Sequence, residues 1–154
     1  MMISLRPARP DEAALLTDLC LRSKASWGYS EDFMAVCRSE ATITPEIVEG
    51  SPVMVAEKDG RVAGVAQLVV RDSVAELDKL FVEPESLKSG IGRALLDWAK
   101  AEAYGTGAAV LLVEADPYAA DFYRRCGAVD VCLVPSNLFP SRFLPRLKFP
   151  LSGA

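Results

Sequence analysis

The sequence contains no histidine. Its absence excludes Ser-His-Asp and Cys-His nucleophilic mechanisms and every His-ligated zinc or iron site. Cysteine is sparse: Cys20, Cys37, Cys126 and Cys132, none in a CxxC pair, which leaves out a zinc ribbon and a thioredoxin motif. All four lie in apolar or helical stretches and are expected to be buried free thiols of a reducing, cytoplasmic compartment. No run approaches the ~18 apolar residues of a membrane span, and the opening MMISLRPARP has no apolar stretch of signal-peptide length. There is no dense basic block. Lys plus Arg is 17 against 21 for Asp plus Glu, a net charge of −4, which argues against nucleic acid as the main partner.

What is present is an ordinary globular composition. Half of the 154 residues are hydrophobic (51%) and a quarter charged (25%), and the length fits one domain over 1–154. Residues 2–7 alternate apolar and polar as a strand does. Pro10-Asp11-Glu12 opens a helix with acids in its first turn, Ser26–Ser30 breaks it, and a second helix carries Phe33, Met34, Val36 and Cys37. Val53–Glu57 and Val62–Val70 flank Asp59-Gly60, a strong hairpin signal, and Val74–Val82 is a further strand stopped by Pro84. Gly90–Tyr104 has helical periodicity, ended by Gly105 and Gly107. Val110–Val113 reads as a buried strand. Asp116-Pro117 reads as the N-cap and first residue of a helix running to about Arg125, closed by Cys126-Gly127. Ala128–Val134 is a strand. The last twenty residues hold Pro135, Pro140, Pro145 and Pro150, a spacing that suits a loop and an edge strand. The order predicts an α/β (α+β) fold with a central mixed, mostly antiparallel sheet flanked by helices.

The most informative stretch runs from Leu80 to Leu96. A strand ends, a loop follows, and Gly90-x-Gly92 opens a helix. Glycines let the backbone approach a ligand closely, and free amides with the helix dipole suit phosphate oxygens. Lys88, Ser89 and Arg93 add donors. The plain alternative is a glycine-eased turn. A nicotinamide-dinucleotide (NAD) fingerprint is a second functional reading, supported by Glu114 closing the next strand ~20 residues on, where a ribose-binding acid belongs. Against it, Leu95 stands where the third glycine belongs, seven residues separate Val82 from Gly90, and the unit follows an antiparallel hairpin.

Three segments together carry a family resemblance: Val82-x-Pro84, then Gly90-Ile91-Gly92-Arg93-x-Leu95, then Ala119-x-x-Phe122-Tyr123-Arg-Arg-Cys-Gly127. The chain resembles the acetyl-CoA-dependent N-acetyltransferases of the GNAT superfamily over essentially its whole length. Ser23–Tyr29 and the stretch Pro135–Pro145 are similar to a poorly characterised subset of it.

The resemblance implies the GNAT fold and acetyl-CoA as cosubstrate. It implies that Lys88, Ser89, Gly90, Ile91, Gly92 and Arg93 hold the CoA pyrophosphate, largely through backbone amides. Leu87 stands where the family usually has Gln or Arg. Leu80, Phe81 and Val82 would pair pantetheine as an added strand, with an amide there polarising the thioester carbonyl. Some members place a general base six residues before Val82, where Glu76 stands. Asp78 shares its strand face and is an alternative base. Tyr123 matches the tyrosine that protonates departing CoA, within a motif that includes Ala119 and Phe122. Asp116 stands where the family often has a pantetheine-contacting Asn. Trp27 and Tyr29 would line the acceptor side, and Arg142 is a further candidate there. The acceptor would be a small-molecule or peptide amine, acetylated by direct transfer in a ternary complex. A non-catalytic acyl-CoA-binding module would carry the same loop. The family often dimerises through late strands, and those here are apolar enough to allow it.

Overall fold

The computed structural model describes residues 2–151. Strands β1 (Ile3–Pro7), β2 (Val53–Lys58), β3 (Arg61–Arg71), β4 (Val74–Val82), β5 (Val110–Glu114), β6 (Val129–Pro135) and β7 (Phe143–Pro150) form a mixed sheet in the order β1-β2-β3-β4-β5-β7-β6. Helices α1 (Ala13–Ala25), α2 (Glu31–Ala41) and α3 (Pro45–Gly50) lie between β1 and β2 in the chain, α4 (Ile91–Gly105) between β4 and β5, and α5 (Ala120–Arg125) between β5 and β6. The chain clusters into two compact units. One contains the residues up to Leu68 together with Lys79–Trp98, and the other contains Val69–Asp78 and the residues from Ala99 on.

In the first unit β1 and β2 pair antiparallel, as do β2 and β3. The β2–β3 turn is made by Asp59 (φ 53°) and Gly60 (φ 82°), the two left-handed residues that a tight hairpin turn requires. Helix α1 sets Leu16, Leu19 and Cys20 against Val53, Val55 and Val65. A side-chain cap from Ser30, accepting from the Phe33 amide, starts α2. Helix α3, which periodicity does not reveal, is started the same way by Thr44 with Pro45 behind it. Helix α4 buries Ile91, Leu95 and Leu96 completely. Its first turn comes so close to β3 that a Cβ on Gly64 would lie 2.8 Å from Ile91 Cγ2, 2.9 Å from Leu95 Cδ1 and 3.2 Å from the Phe81 carbonyl.

An ion-pair cluster ties β1 to the turn before α1. Arg6 clamps Glu12 with two bonds (2.9 and 2.7 Å) and reaches Glu57 with a third (3.0 Å), while Glu12 also accepts from the Arg9 amide at 2.9 Å. The Arg6 guanidinium holds the Glu12 carboxyl down at about 2.

In the second unit β4 and β5 run parallel, paired from Val74↔Val110 to Glu76↔Leu112. Strand β7 inserts antiparallel between β5 and β6. The proline-rich end therefore supplies an interior strand, and β6 is the edge. Pro150 is the last residue of β7 and Pro145 lies one past the last β5 rung, so neither interrupts the middle of that ladder. The expected helix start at Asp116 is also corrected. Residues 116–119 form a turn whose Asp116 carboxylate accepts from the Tyr118 amide at 2.9 Å, and α5 begins only at Ala120. The cysteines divide: Cys20 and Cys37 are buried, Cys126 is half-buried and Cys132 is exposed on β6.

Candidate active site

The glycine loop lies in the first unit. Strand β4 ends at Val82, and the Glu83 amide donates to the Ala63 carbonyl at 2.8 Å, pinning the exit from the strand. A short 3-10 turn, Pro84–Ser86, follows. Lys88 (φ 64°) and Gly90 (φ 91°) both take left-handed backbone, and the Ser89 hydroxyl donates to the Ser86 carbonyl. The first helical bond of α4 runs from the Ala94 amide to the Gly90 carbonyl (3.0 Å). The amides of Ile91, Gly92 and Arg93 therefore precede any intrahelical acceptor and are directed at the helix mouth. Lys88 and Arg93 are exposed, Ser89 and Gly92 half-buried, and Ile91 anchors the turn in the core. This donor set, positive at a helix N-terminus, fits the oxygens of a pyrophosphate.

Leu80 and Phe81 are half-buried and Val82 is buried. The β4–β5 ladder stops at Glu76↔Leu112, whereas β4 runs on through Val82. Leu77–Val82 thus lie beyond the last rung, where an extended ligand could pair with the strand. Arg22 of α1 grips Glu83 with two bonds, 3.0 and 2.9 Å, at the end of the same strand. Sequence reasoning missed Lys79. It is 6% exposed, and its Nζ donates to Gln67 Oε1 at 3.0 Å. Alternation with exposed Asp78 was the signal for its burial, but a lysine in that slot reads as solvated. Trp27 and Tyr29 are half-buried at the α1–α2 junction. The Tyr29 ring stacks on Phe33 at 4.1 Å between centroids.

The second unit holds the remaining candidates. Glu76 and Asp78 are exposed. Glu76 pairs with Leu112 and Ala75 with Leu111, so the two residues of each pair share a sheet face. On the Glu76 face, Arg146 donates to Glu114 at 2.6 Å. The Ala75 face carries Leu111 and its β7 partner Phe149, against whose ring Tyr123 packs edge-on at 6.5 Å. Glu76 and Tyr123 therefore occupy opposite faces of this part of the sheet and are not brought side by side.

Tyr123 is 5% exposed, with Phe122 edge-on at 5.2 Å. Burial pushes its phenol above the ordinary range, helped by Cys126 and Asp116 beside it. Ala119, half-buried, caps α5 and donates its amide to the Asp116 carbonyl at 2.8 Å. Arg142 pairs across to the turn before α5, its Nη2 3.5 Å from Asp116 Oδ2, which joins the 136–142 loop to that turn. Among the described residues, no group of three or more Cys, Asp or Glu side chains is placed to hold a metal, and no helix is long and apolar enough to cross a membrane.

The strand–loop–helix unit follows an antiparallel hairpin in a mixed sheet instead of opening a run of parallel strands, which removes the dinucleotide-fold reading. The sequence profile of the GNAT acetyltransferase domain matches residues 49–127. No curated protein matches the sequence. Among solved structures, the chain is similar to a GCN5-related N-acetyltransferase from Rhodopseudomonas palustris (22% identity, 98% of this chain and 99% of that one, TM-score 0.80). It is also similar to the PaiA N-acetyltransferase of Thermoplasma acidophilum in complex with coenzyme A (18%, 97% and 100%, TM-score 0.76). A third is yncA of Salmonella typhimurium with its cofactor acetyl-CoA (20%, 100% and 96%, TM-score 0.70). These likenesses show the fold, and the profile covers the strand, the glycine loop and the tyrosine motif alike. The chain belongs to the GNAT acetyltransferase family and is an acetyltransferase.

Proposed function

We propose that residues 1–154 work as one acetyl-CoA-dependent N-acetyltransferase domain, moving the acetyl group to a primary amine by direct transfer in a ternary complex. The reading rests on one arrangement. Strand β4 outruns its ladder with β5 and leads through the left-handed Lys88 and Gly90 into the open amides of α4. Similar structures hold coenzyme A or acetyl-CoA, which supports the same cosubstrate here.

The amides of residues 88–93 take the pyrophosphate oxygens, with Lys88 and Arg93 adding charge. The backbone of Leu80–Val82 pairs the pantetheine arm, and an amide near Leu80 polarises the thioester carbonyl as charge develops on its oxygen. An alkylammonium has a pKa of ~10 and must lose a proton before it can attack. Glu76, through a water, takes that proton, with Asp78 as the alternative base. The C–N bond forms as the C–S bond breaks, and Tyr123 donates its phenolic proton to the departing thiolate. The incoming nitrogen and the leaving sulfur bond to one carbonyl carbon, so Glu76, on the sheet face opposite Tyr123, acts only through the water. A phenol is protonated at neutral pH, as a donor must be. The reading also places the enzyme in the cytoplasm, where free thiols stay reduced.

Thiol release from acetyl-CoA with a panel of primary amines tests it. Tyr123→Phe should lower kcat far more than acetyl-CoA affinity. Glu76→Gln should lower kcat and move the pH–rate profile, and an unchanged profile would assign the base elsewhere. Tight acetyl-CoA binding without transfer to any amine would mark a non-catalytic acyl-CoA-binding module instead.

A further inference from the structure

The exit of β4 is held from outside the strand. Arg22 stands in the last turn of α1, and its Nε and Nη2 donate to the two carboxylate oxygens of Glu83 at 3.0 and 2.9 Å. Two donors thus meet both oxygens of one carboxylate, a fork that arginine makes and lysine cannot. The fork has a fixed base, because the same helix buries Leu16, Leu19 and Cys20 completely. Glu83 is also tied to β3, through its amide on the Ala63 carbonyl (2.8 Å).

From Glu83 a run of short-range bonds leads into the glycine loop. The Ser86 amide donates to the Glu83 carbonyl at 2.8 Å and the Leu87 amide to the Pro84 carbonyl at 3.4 Å. The Ser89 hydroxyl donates to the Ser86 carbonyl. Lys88 (φ 64°) and Gly90 (φ 91°) then turn left-handed. A lysine in that backbone is strained, so local preference alone does not hold the loop in this shape. These bonds are all local, and the tie to α1 and β3 is made at Glu83.

On the reading that residues 88–93 hold acetyl-CoA, we infer that Arg22 is a positioning residue for that loop: through Glu83 it anchors the strand exit and keeps the loop in the shape that receives the pyrophosphate. Loosening the fork lowers the fraction of chains with the loop formed, and Kd rises in proportion. The arginine side of the fork is 53% exposed, so salt weakens it.

The test is calorimetric titration with acetyl-CoA of the wild type, Arg22→Met, Arg22→Lys, Glu83→Gln and the double variant Arg22→Met with Glu83→Gln. Kd should rise about three- to ten-fold in Arg22→Met and in Glu83→Gln alike. The double variant should bind no worse than either single one, as partners in one contact behave. Arg22→Lys keeps the charge without the fork and should recover only part of the loss. The Kd ratio of Arg22→Met to wild type should narrow as salt is raised, which a lost packing contact would not do. KM for acetyl-CoA should follow Kd, with kcat unchanged. Hydrogen exchange on the ligand-free proteins gives a second readout: the Ser86 amide should exchange about two- to five-fold faster in Arg22→Met, and the Asp59–Gly60 turn should not change. If all five proteins bind acetyl-CoA alike, Arg22 does not position the loop and the loop reading survives. Tighter binding in Glu83→Gln would also overturn the inference, because the fork would then only mask a carboxylate from the phosphates. If none binds acetyl-CoA while Ser86 exchange quickens as expected, the anchor stands and the assignment of the loop to acetyl-CoA fails.

Discussion

Replacing Gly64 with alanine tests how closely the helix behind the glycine loop must approach the sheet. Gly64 has no left-handed φ, so alanine fits its backbone and should by itself gain about 0.4–1 kcal/mol through the unfolded chain. The added Cβ, however, would sit 2.8 and 2.9 Å from Ile91 and Leu95 and 3.2 Å from the Phe81 carbonyl. Ile91 and Leu95 are completely buried and Phe81 offers backbone, so none can swing aside. Overpacking of this kind costs about 1–3 kcal/mol, leaving a net loss of about 1–2 kcal/mol. For a chain of this length that is a fall in Tm of about 2–8 °C. Leu95→Ala alone should cost about 2–5 kcal/mol, but clearly less in the Gly64→Ala background, because one of the clashing groups is then gone. Thermal and urea unfolding of the four proteins completes the cycle. Acetyl-CoA affinity should fall in Gly64→Ala, since the first turn of α4 is pushed from its seat. An unchanged or raised Tm, or strictly additive costs, would refute the close approach and its role in setting the loop.

Because the folded Glu12 pKa is depressed to about 2 from the usual 4.5, its stabilisation is present above about pH 4.5 and is lost as pH falls toward 2; the amount is at most about 3 kcal/mol, and the gap in Tm between wild type and Glu12→Gln should close over that window. Lys88→Gly should leave stability unchanged or slightly higher, because a lysine at φ 64° is strained by about 1 kcal/mol, while acetyl-CoA binding weakens and loses part of its salt dependence. A thiol reagent on the native protein should modify Cys132 first and Cys126 more slowly; Cys20, buried and with its thiol pushed up to about 12, and Cys37 should react only on unfolding, read by mass after timed quenching.

Most of the architecture was legible because local chemistry and tertiary demand agree. Asp59-Gly60 forces a hairpin, Pro84 stops β4, and Gly105 and Gly107 end α4 whatever surrounds them. The sequence misled where a partner elsewhere decides. Asp116-Pro117 has the chemistry of a helix start, but the Asp116 side chain turns back on Tyr118 and its other oxygen faces Arg142. The prolines of the last strand suggested an edge, yet β7 tolerates them by placing them at the ends of its β5 ladder. Cys132 looked apolar and buried because nothing in its neighbourhood says that β6 is left at the sheet edge. The turn into α4 was legible because Gly90-x-Gly92 marks a helix entry and Gly90 takes left-handed backbone, whereas the left-handed Lys88 could not be read, since lysine disfavours that conformation. That Glu76 and Tyr123 face opposite ways could not be read, since it depends on the β4–β5 and β5–β7 registers.

The central claim is that the 88–93 loop holds acetyl-CoA. The most direct test is the Tm of the pure protein with saturating acetyl-CoA, CoA or NAD. At ~100 times its Kd a ligand stabilises by about 2.7 kcal/mol, which here is about 5–11 °C. The account predicts that rise with both CoA species, none with NAD, and a reduced rise in Gly90→Ala, whose φ of 91° does not suit alanine. No rise with either CoA species would mean that the loop is only a turn into α4, and the proposed mechanism would fall with it.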